Sequence, residues 1–172
     1  MPGRLKASII PAALAALCAT AVLGDSGSHA QSPPPVTSVT CTGLKKIEVV
    51  NSDAPYSTAS DTYVDIPDAS RTFTPAKPGC VLVTFSSAAS AFLVPMVVQA
   101  VLDASSLCAP NNSSANIFEF ADGNDRAPVH ANSMTYLCPD VQPGKHKIRM
   151  QWESGNGHTA YLYGFTMTVA HR

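Results

Sequence analysis

From Lys145 onward the chain sorts its side chains in twos. His146, Ile148, Met150 and Trp152 fall on one side, and Lys145, Lys147, Arg149, Gln151 and Glu153 on the other. Ser154-Gly155-Asn156-Gly157 breaks the pattern, and Tyr161, Tyr163, Phe165, Met167 and Val169 then recur at every second position. Successive side chains of a strand point to opposite faces, so this segment reads as a β-hairpin with one wet and one buried face. A short loop at Ser154–Gly157 sets Met150 opposite Tyr161 and Ile148 opposite Tyr163, apolar against apolar. On that register Tyr161 and Tyr163 belong to the core.

Upstream, residues 44–50, 62–66, 71–74, 80–86, 92–103, 117–120 and 133–138 also read as strands. Residues 51–61, 104–116 and 121–132 are polar and read as loops. Pro67-Asp68, Pro78-Gly79 and residues 139–144 read as turns, and the small residues 87–91 as a weak connection. No amphipathic helix is visible outside the first thirty residues. A succession of eight to ten short strands and turns makes an all-β antiparallel sandwich or barrel. Residues 92–98 are apolar on both faces, with Pro95 marking a bulge or an edge. Such a strand must be covered, by the rest of the fold or by another subunit.

Residues 1–30 have the build of a secretory signal. Arg4 and Lys6 precede an uncharged apolar run, and Ser28-His29-Ala30 supplies small residues at the −3 and −1 positions. Cleavage is expected after Ala30; the alternative is an uncleaved anchor, because the run is nearly long enough to span a bilayer. Leu17 before Cys18 rules out a lipidation site there. Residues 31–43, with Pro33-Pro34-Pro35, read as a linker, and 44–172 as one domain. The expected location is secreted or periplasmic, with membrane attachment only if the leader stays on.

Loss of the leader leaves Cys41, Cys80, Cys108 and Cys138, an even set suited to disulfides in an oxidising compartment. Cys41–Cys80 and Cys108–Cys138 are the favoured pairs, since each joins strands near in sequence. The spacing fits no zinc site. With 11 Lys+Arg against 12 Asp+Glu and no block of like charge, nothing supports nucleic-acid binding.

Pro78-Gly79 leads into Cys80-Val81-Leu82-Val83-Thr84-Phe85. Pro143-Gly144 leads a second strand to Trp152, and Tyr161-Leu162-Tyr163-Gly164-Phe165-Thr166-Met167-Thr168-Val169 closes the chain. This order over residues 44–170 resembles the jelly roll of the tumour-necrosis-factor and complement globular-head superfamily. The segment Val141-Gln142-Pro143-Gly144-Lys145-His146-Lys147-Ile148-Arg149-Met150-Gln151-Trp152 is also similar to one in exported bacterial proteins. The resemblance implies a jelly-roll sandwich without catalysis, commonly trimeric, with ligands read by loops or subunit grooves. The four cysteines and the long 108–132 region depart from the superfamily.

The candidate chemistry is sparse. Gly24-Asp25-Ser26-Gly27 spells a serine-protease neighbourhood but lies in the leader, with no domain before it to supply a histidine and an aspartate. His130, His146, His158 and His171 form no i+2 or i+4 pair. Asp122, Asn124 and Asp125 around Gly123 are a fragment of a calcium loop, lacking its later ligands, or plain turn chemistry. Trp152 is a candidate for stacking on sugars, with Tyr161 and Tyr163. Asn156 and His158, in the adjoining loop, are candidate ligand-binding residues beside it. Asn111-Asn112-Ser113 and Asn112-Ser113-Ser114 match a glycosylation pattern that matters only in a eukaryotic pathway. Glu48, Glu119 and Glu153 are the glutamates, and nothing sets two of them in one cleft. No cofactor is expected. The expected function is therefore an exported, non-catalytic module for binding or self-assembly, with a protein or a glycan as partner. A carbohydrate-binding module is the first alternative and a secreted hydrolase the second.

Overall fold

The computed structural model describes residues 41–111, 119–124 and 128–172. The expected signal peptide, the linker as far as residue 40, Asp125, and Asn112, Ser113 and Ser114 of the glycosylation pattern lie outside the described residues. The strands are β1 (Lys46–Thr58), β2 (Val64–Phe73), β3 (Gly79–Phe92), β4 (Met96–Leu102), β5 (Ser106–Leu107), β6 (Glu119–Ala121), β7 (Gly123–Asn124), β8 (His130–Val141), β9 (His146–Ser154) and β10 (Ala160–His171). A 3₁₀ turn at Gly155–Gly157 is the one helical element among the described residues.

One sheet runs β1-β10-β3, with β8 and the short β7 both pairing β3; the other runs β2-β9-β4, with β5 and β6 both pairing β4. Each long strand (β1, β2, β3, β4, β8, β9, β10) sits in the opposite sheet from the next long strand in sequence. That alternation is the jelly-roll wind, so the expected fold class holds.

It also corrects the final hairpin. β9 pairs β2 and β4, whereas β10 pairs β1 and β3. The Gly155–Gly157 turn therefore carries the chain across the sandwich, and Met150 never lies beside Tyr161. Two strands that each bury one face satisfy the same period-two pattern whether they pair edge to edge or face each other across a core.

The tyrosines change sides too. Gly164 has φ 83°, and the register of β10 against β3 shifts between Leu162 and Thr166. A bulge of this kind inverts the alternation. Ala160 and Leu162 face the core before it, and Phe165, Met167 and Val169 after it, while Tyr161 (42% exposed) and Tyr163 (49%) face outward.

Other boundaries moved for similar reasons. β1 runs through the expected 51–61 loop by taking a register shift between Ser52 and Pro55. The expected connection 87–91 is strand: Ala89 and Ala91 are small because they are packed, and the buried Ser87 donates its hydroxyl to the Gly164 carbonyl. The two strands split at Pro67-Asp68 are one strand, with its shift between Asp65 and Ser70. Pro139 falls inside β8, and residues 121–132 hold β7 and the start of β8. The apolar 92–103 run breaks at Pro95, and every residue of Met96–Leu102 is buried within a single chain. Phe92 and Leu93, at its entry, are the exposed apolar residues of the run.

Between the sheets lie Trp152, Phe85, Met96, Ile148, Met150, Leu162 and Met167. Tyr136 is also buried; its hydroxyl donates to the Val98 carbonyl at 2.7 Å, and burial pushes the phenol above its ordinary pKa. The disulfides are Cys41–Cys80 and Cys108–Cys138, the expected pairing. Closing loops of 39 and 30 residues contributes about 3.5–4 kcal/mol each by chain entropy. Such bonds persist in an oxidising compartment. Among the described residues no helix is long and apolar enough to cross a membrane.

Candidate functional site

The outer faces of the two sheets differ in charge. On the β2-β9-β4 side Arg149 pairs with Asp65 at 3.5 Å and donates to the Ala104 carbonyl. Gln151 donates to Asp65 and accepts from Gln99, a local polar network in which Gln99 Oε1 and Arg149 Nε are buried without a hydrogen-bond partner among the described residues. The β1-β10-β3-β8 side is unlike it. Register places Ile47, Val49, Asn51, Pro55 and Ser57 of β1 outward, beside Ala170, Thr168, Thr166, Tyr163 and Tyr161 of β10. Leu82, Thr84, Ser86 and Ser90 of β3 follow, then Leu137, Thr135 and Ser133 of β8. Among the described residues the middle of this face carries no charged side chain; exposed charges of the same strands stand at its margins, Lys46 and Asp140 near strand ends and Asp53 in the β1 bulge. Hydroxyls pair across the face, Thr84 with Thr135 at 3.0 Å and Ser86 with Ser133 at 2.8 Å.

The rings of Tyr161 and Tyr163 stack along this face, with centroids 6.3 Å apart and planes 26° apart. Tyr161 joins Phe92, Gly157, His158 and Thr159 around a depression of about 410 Å³. Tyr163 joins Asp53, Ser86, Ala131, Gly164 and Thr166 around a second, of about 320 Å³. His158 meets the Phe92 ring edge-on at 6.5 Å.

Local sequence fixes these groups. Asn156 and Gly157 both take positive φ, which a β-branched residue would resist. The buried Ser154 donates its hydroxyl to the His158 carbonyl at 2.6 Å, and its N–H donates to the Ser60 carbonyl. The Phe92–Leu93 turn rests on Gly123, where a Cβ would stand 2.0 Å from the Val94 carbonyl carbon. That close approach accounts for the glycine at position 123.

Of the expected site residues, Trp152 is a correction. It is 1% exposed and lies between Val64 and Val98 in the core, because the even positions of β9 face inward. His158 lines the first depression; Asn156 stands exposed at the tip of its turn. Asp122 borders a separate hollow with Glu119 and His130. Among the described residues no three His, Cys, Asp or Glu side chains converge to hold a metal, and no serine hydroxyl bonds a histidine ring. The residues that sequence reasoning misplaced are Tyr161, Tyr163 and Phe92. Ala160 and Leu162 already offered a rival apolar alternation, and Gly164 was the signal that the phase changes.

The ionisable pairs sit elsewhere. Asp103 accepts the Lys147 N–H at 3.0 Å and contacts His146 Nδ1 at 2.9 Å, and His146 Nε2 meets the Gln142 carbonyl at 2.8 Å. Both partners of the ring are acceptors, so the doubly protonated imidazolium fits best. The Asp103 bond raises the His146 pKa above its ordinary 6.5 against the effect of burial. Burial lifts Asp103, but the His146 and Lys147 bonds outweigh it and leave the carboxyl below its ordinary 3.8. Hydrogen bonding to Arg71, against burial and with help from His171, likewise lowers Glu48. Burial raises Glu153.

For His146, a raised folded value means stability that is complete below 6.5 and is lost as pH rises through the folded pKa. For Asp103, a lowered value means stability present above 3.8 and lost on further acidification. The pair therefore contributes most between these two values. Urea midpoints should fall between about pH 5 and about pH 8.5 more in the wild type than in His146→Gln. Equal falls would remove the imidazolium pair.

No protein-family model matches the chain, and no curated protein matches it. Among solved structures it is similar to the infectious bursal disease virus VP2 subviral particle, with 10% identity and a TM-score of 0.44 over 83% of this chain and 37% of that one. It is similar to the infectious bursal disease virus Gx strain at 12% identity and a TM-score of 0.40, over 80% and 37%. A family two carbohydrate esterase from Cellvibrio japonicus matches at 13% identity and a TM-score of 0.30, over 74% and 34%. The chain thus spans at most 37% of the length of these proteins.

Proposed function

We propose that this is an exported, non-catalytic recognition module that binds a neutral carbohydrate on the outer face of the β1-β10-β3-β8 sheet. The observation that carries the reading is the stacked, outward-facing Tyr161–Tyr163 pair on a face whose middle carries hydroxyls and no charge, Asp53 standing at its border. Aromatic rings present apolar area with a polar tip, which suits the C–H faces and hydroxyls of a sugar. Each Ser or Thr hydroxyl of the ladder uses part of its donor and acceptor capacity on its neighbour and keeps the rest for a ligand. The platform stands on paired strands, so little ordering entropy is lost on binding. The disulfides and the signal-like residues 1–30 support export.

Affinity electrophoresis in gels containing soluble β-glucan, glucomannan or galactomannan tests this. The double variant Tyr161→Ala, Tyr163→Ala should weaken retardation about tenfold or more, at about 0.5–1.5 kcal/mol per ring. Its thermal midpoint should stay near that of the wild type. Unchanged retardation would remove the platform.

The second reading is self-assembly, with the trimer of the superfamily this order of strands resembles. Ile47 (69% exposed) and Val49 (56%) on the same face favour it. Light scattering at rising concentration separates the two, because a sugar platform needs a free face.

A further inference from the structure

We infer that the site grips an internal stretch of an extended neutral polysaccharide, laid along β10, and not a chain end. This rests on the carbohydrate reading above. The two depressions lie on either side of the tyrosine pair, one bordered by Tyr161 and the other by Tyr163. Depression, ring, ring and depression thus form one track. From Tyr161 to Thr166 it covers about 16 Å, at roughly 3.3 Å per strand residue. A site for a chain end needs a blind pocket with convergent polar groups. Neither depression has that form: the first is walled by Phe92, His158 and Tyr161, the second by the β10 bulge and the rows of β3 and β8.

The ends of the track differ chemically. The Phe92 end is aromatic, with His158 and Thr159 at its edge. The Thr166 end is hydroxylated by Ser86 and Thr166 and bounded by the carboxylate of Asp53. A chain held at both ends is therefore oriented, and the carboxylate disfavours uronate-bearing polymers.

Calorimetry on the disulfide-intact protein, with gluco- and manno-oligosaccharides from disaccharide to hexasaccharide, tests the track. Affinity should climb with each added sugar through at least the tetrasaccharide. Phe92→Ala and Ser86→Ala should each weaken the hexasaccharide severalfold, and more than they weaken the disaccharide, and Tyr161→Phe should retain binding. Asp53→Asn should admit pectin fragments that the wild type rejects. A disaccharide bound as tightly as the hexasaccharide would leave a carbohydrate site but overturn the track. Failure of every glycan, with assembly seen by light scattering, would overturn the carbohydrate reading itself.

Discussion

Trp152→Ala is expected to cost about 3–5 kcal/mol, the range for emptying a packed aromatic site. The indole is 1% exposed, and its strand neighbours on either side are Val64 and Val98. Domains of this kind rest on a margin of roughly 5–15 kcal/mol, so the variant should keep little of it. Denaturant titration should show a much lower midpoint, or no cooperative transition at all. The chain has a single tryptophan, which provides an independent check. Its native emission should be that of an apolar site, resist acrylamide quenching, and stay unmoved when oligosaccharide binds. A variant that melts like the wild type but no longer binds glycan would put Trp152 in the binding site and invert this assignment.

The sequence identified Trp152 as a possible stacking residue because its alternation was clear but its sheet was not. Period-two patterning tells which side chains share a face. It does not tell which strand lies beside which, since any partner that leaves the apolar face inward satisfies it. The strands, the jelly-roll wind and both disulfides were legible, the disulfides because each closes over a neighbouring excursion of chain. The expected loop 51–61 was not, because its polar residues sit on an edge strand that takes its shift at Ser52–Pro55. Nor was the connection 87–91, where serine and alanine read as weak strand formers but are chosen for close packing. The platform was hidden for another reason. In Ala160-Tyr161-Leu162-Tyr163-Gly164-Phe165 two alternations compete, and only the backbone conformation at Gly164 decides between them.

The division of labour between the sheets follows from the same wind. β9 and β10 adjoin in sequence yet stand in opposite sheets, so one segment of chain supplies both outer surfaces. Its first strand presents Arg149 and Gln151 to a polar network, and its second presents Tyr161 and Tyr163 to the hydroxyl-bearing face. The crossing turn between them brings His158 to the end of the platform.

Gly164→Ala is the second large effect expected, because one residue there sets both the packing and the exposure of the tyrosines. A Cβ at position 164 would stand 2.7 Å from the Ser52 carbonyl oxygen and 3.3 Å from Asp53 Cα, both backbone atoms of β1. Strand β1 must therefore move, and the register of its bulge with it. Left-handed strain contributes about 1–3 kcal/mol and overpacking about 1–3 kcal/mol, so a loss of about 2–6 kcal/mol is expected in denaturant titration. Gly144→Ala is the comparison: φ there is +137° and nothing lies within 4 Å of its Cβ, so only the backbone strain applies. The Gly164 variant should lose clearly more stability than the Gly144 variant. At temperatures where it stays folded it should also bind glycan less, whereas the Gly144 variant should bind like the wild type. Equal melting of the two would mean that the contact with β1 is absent, and with it the bulge that turns Tyr161 and Tyr163 to solvent.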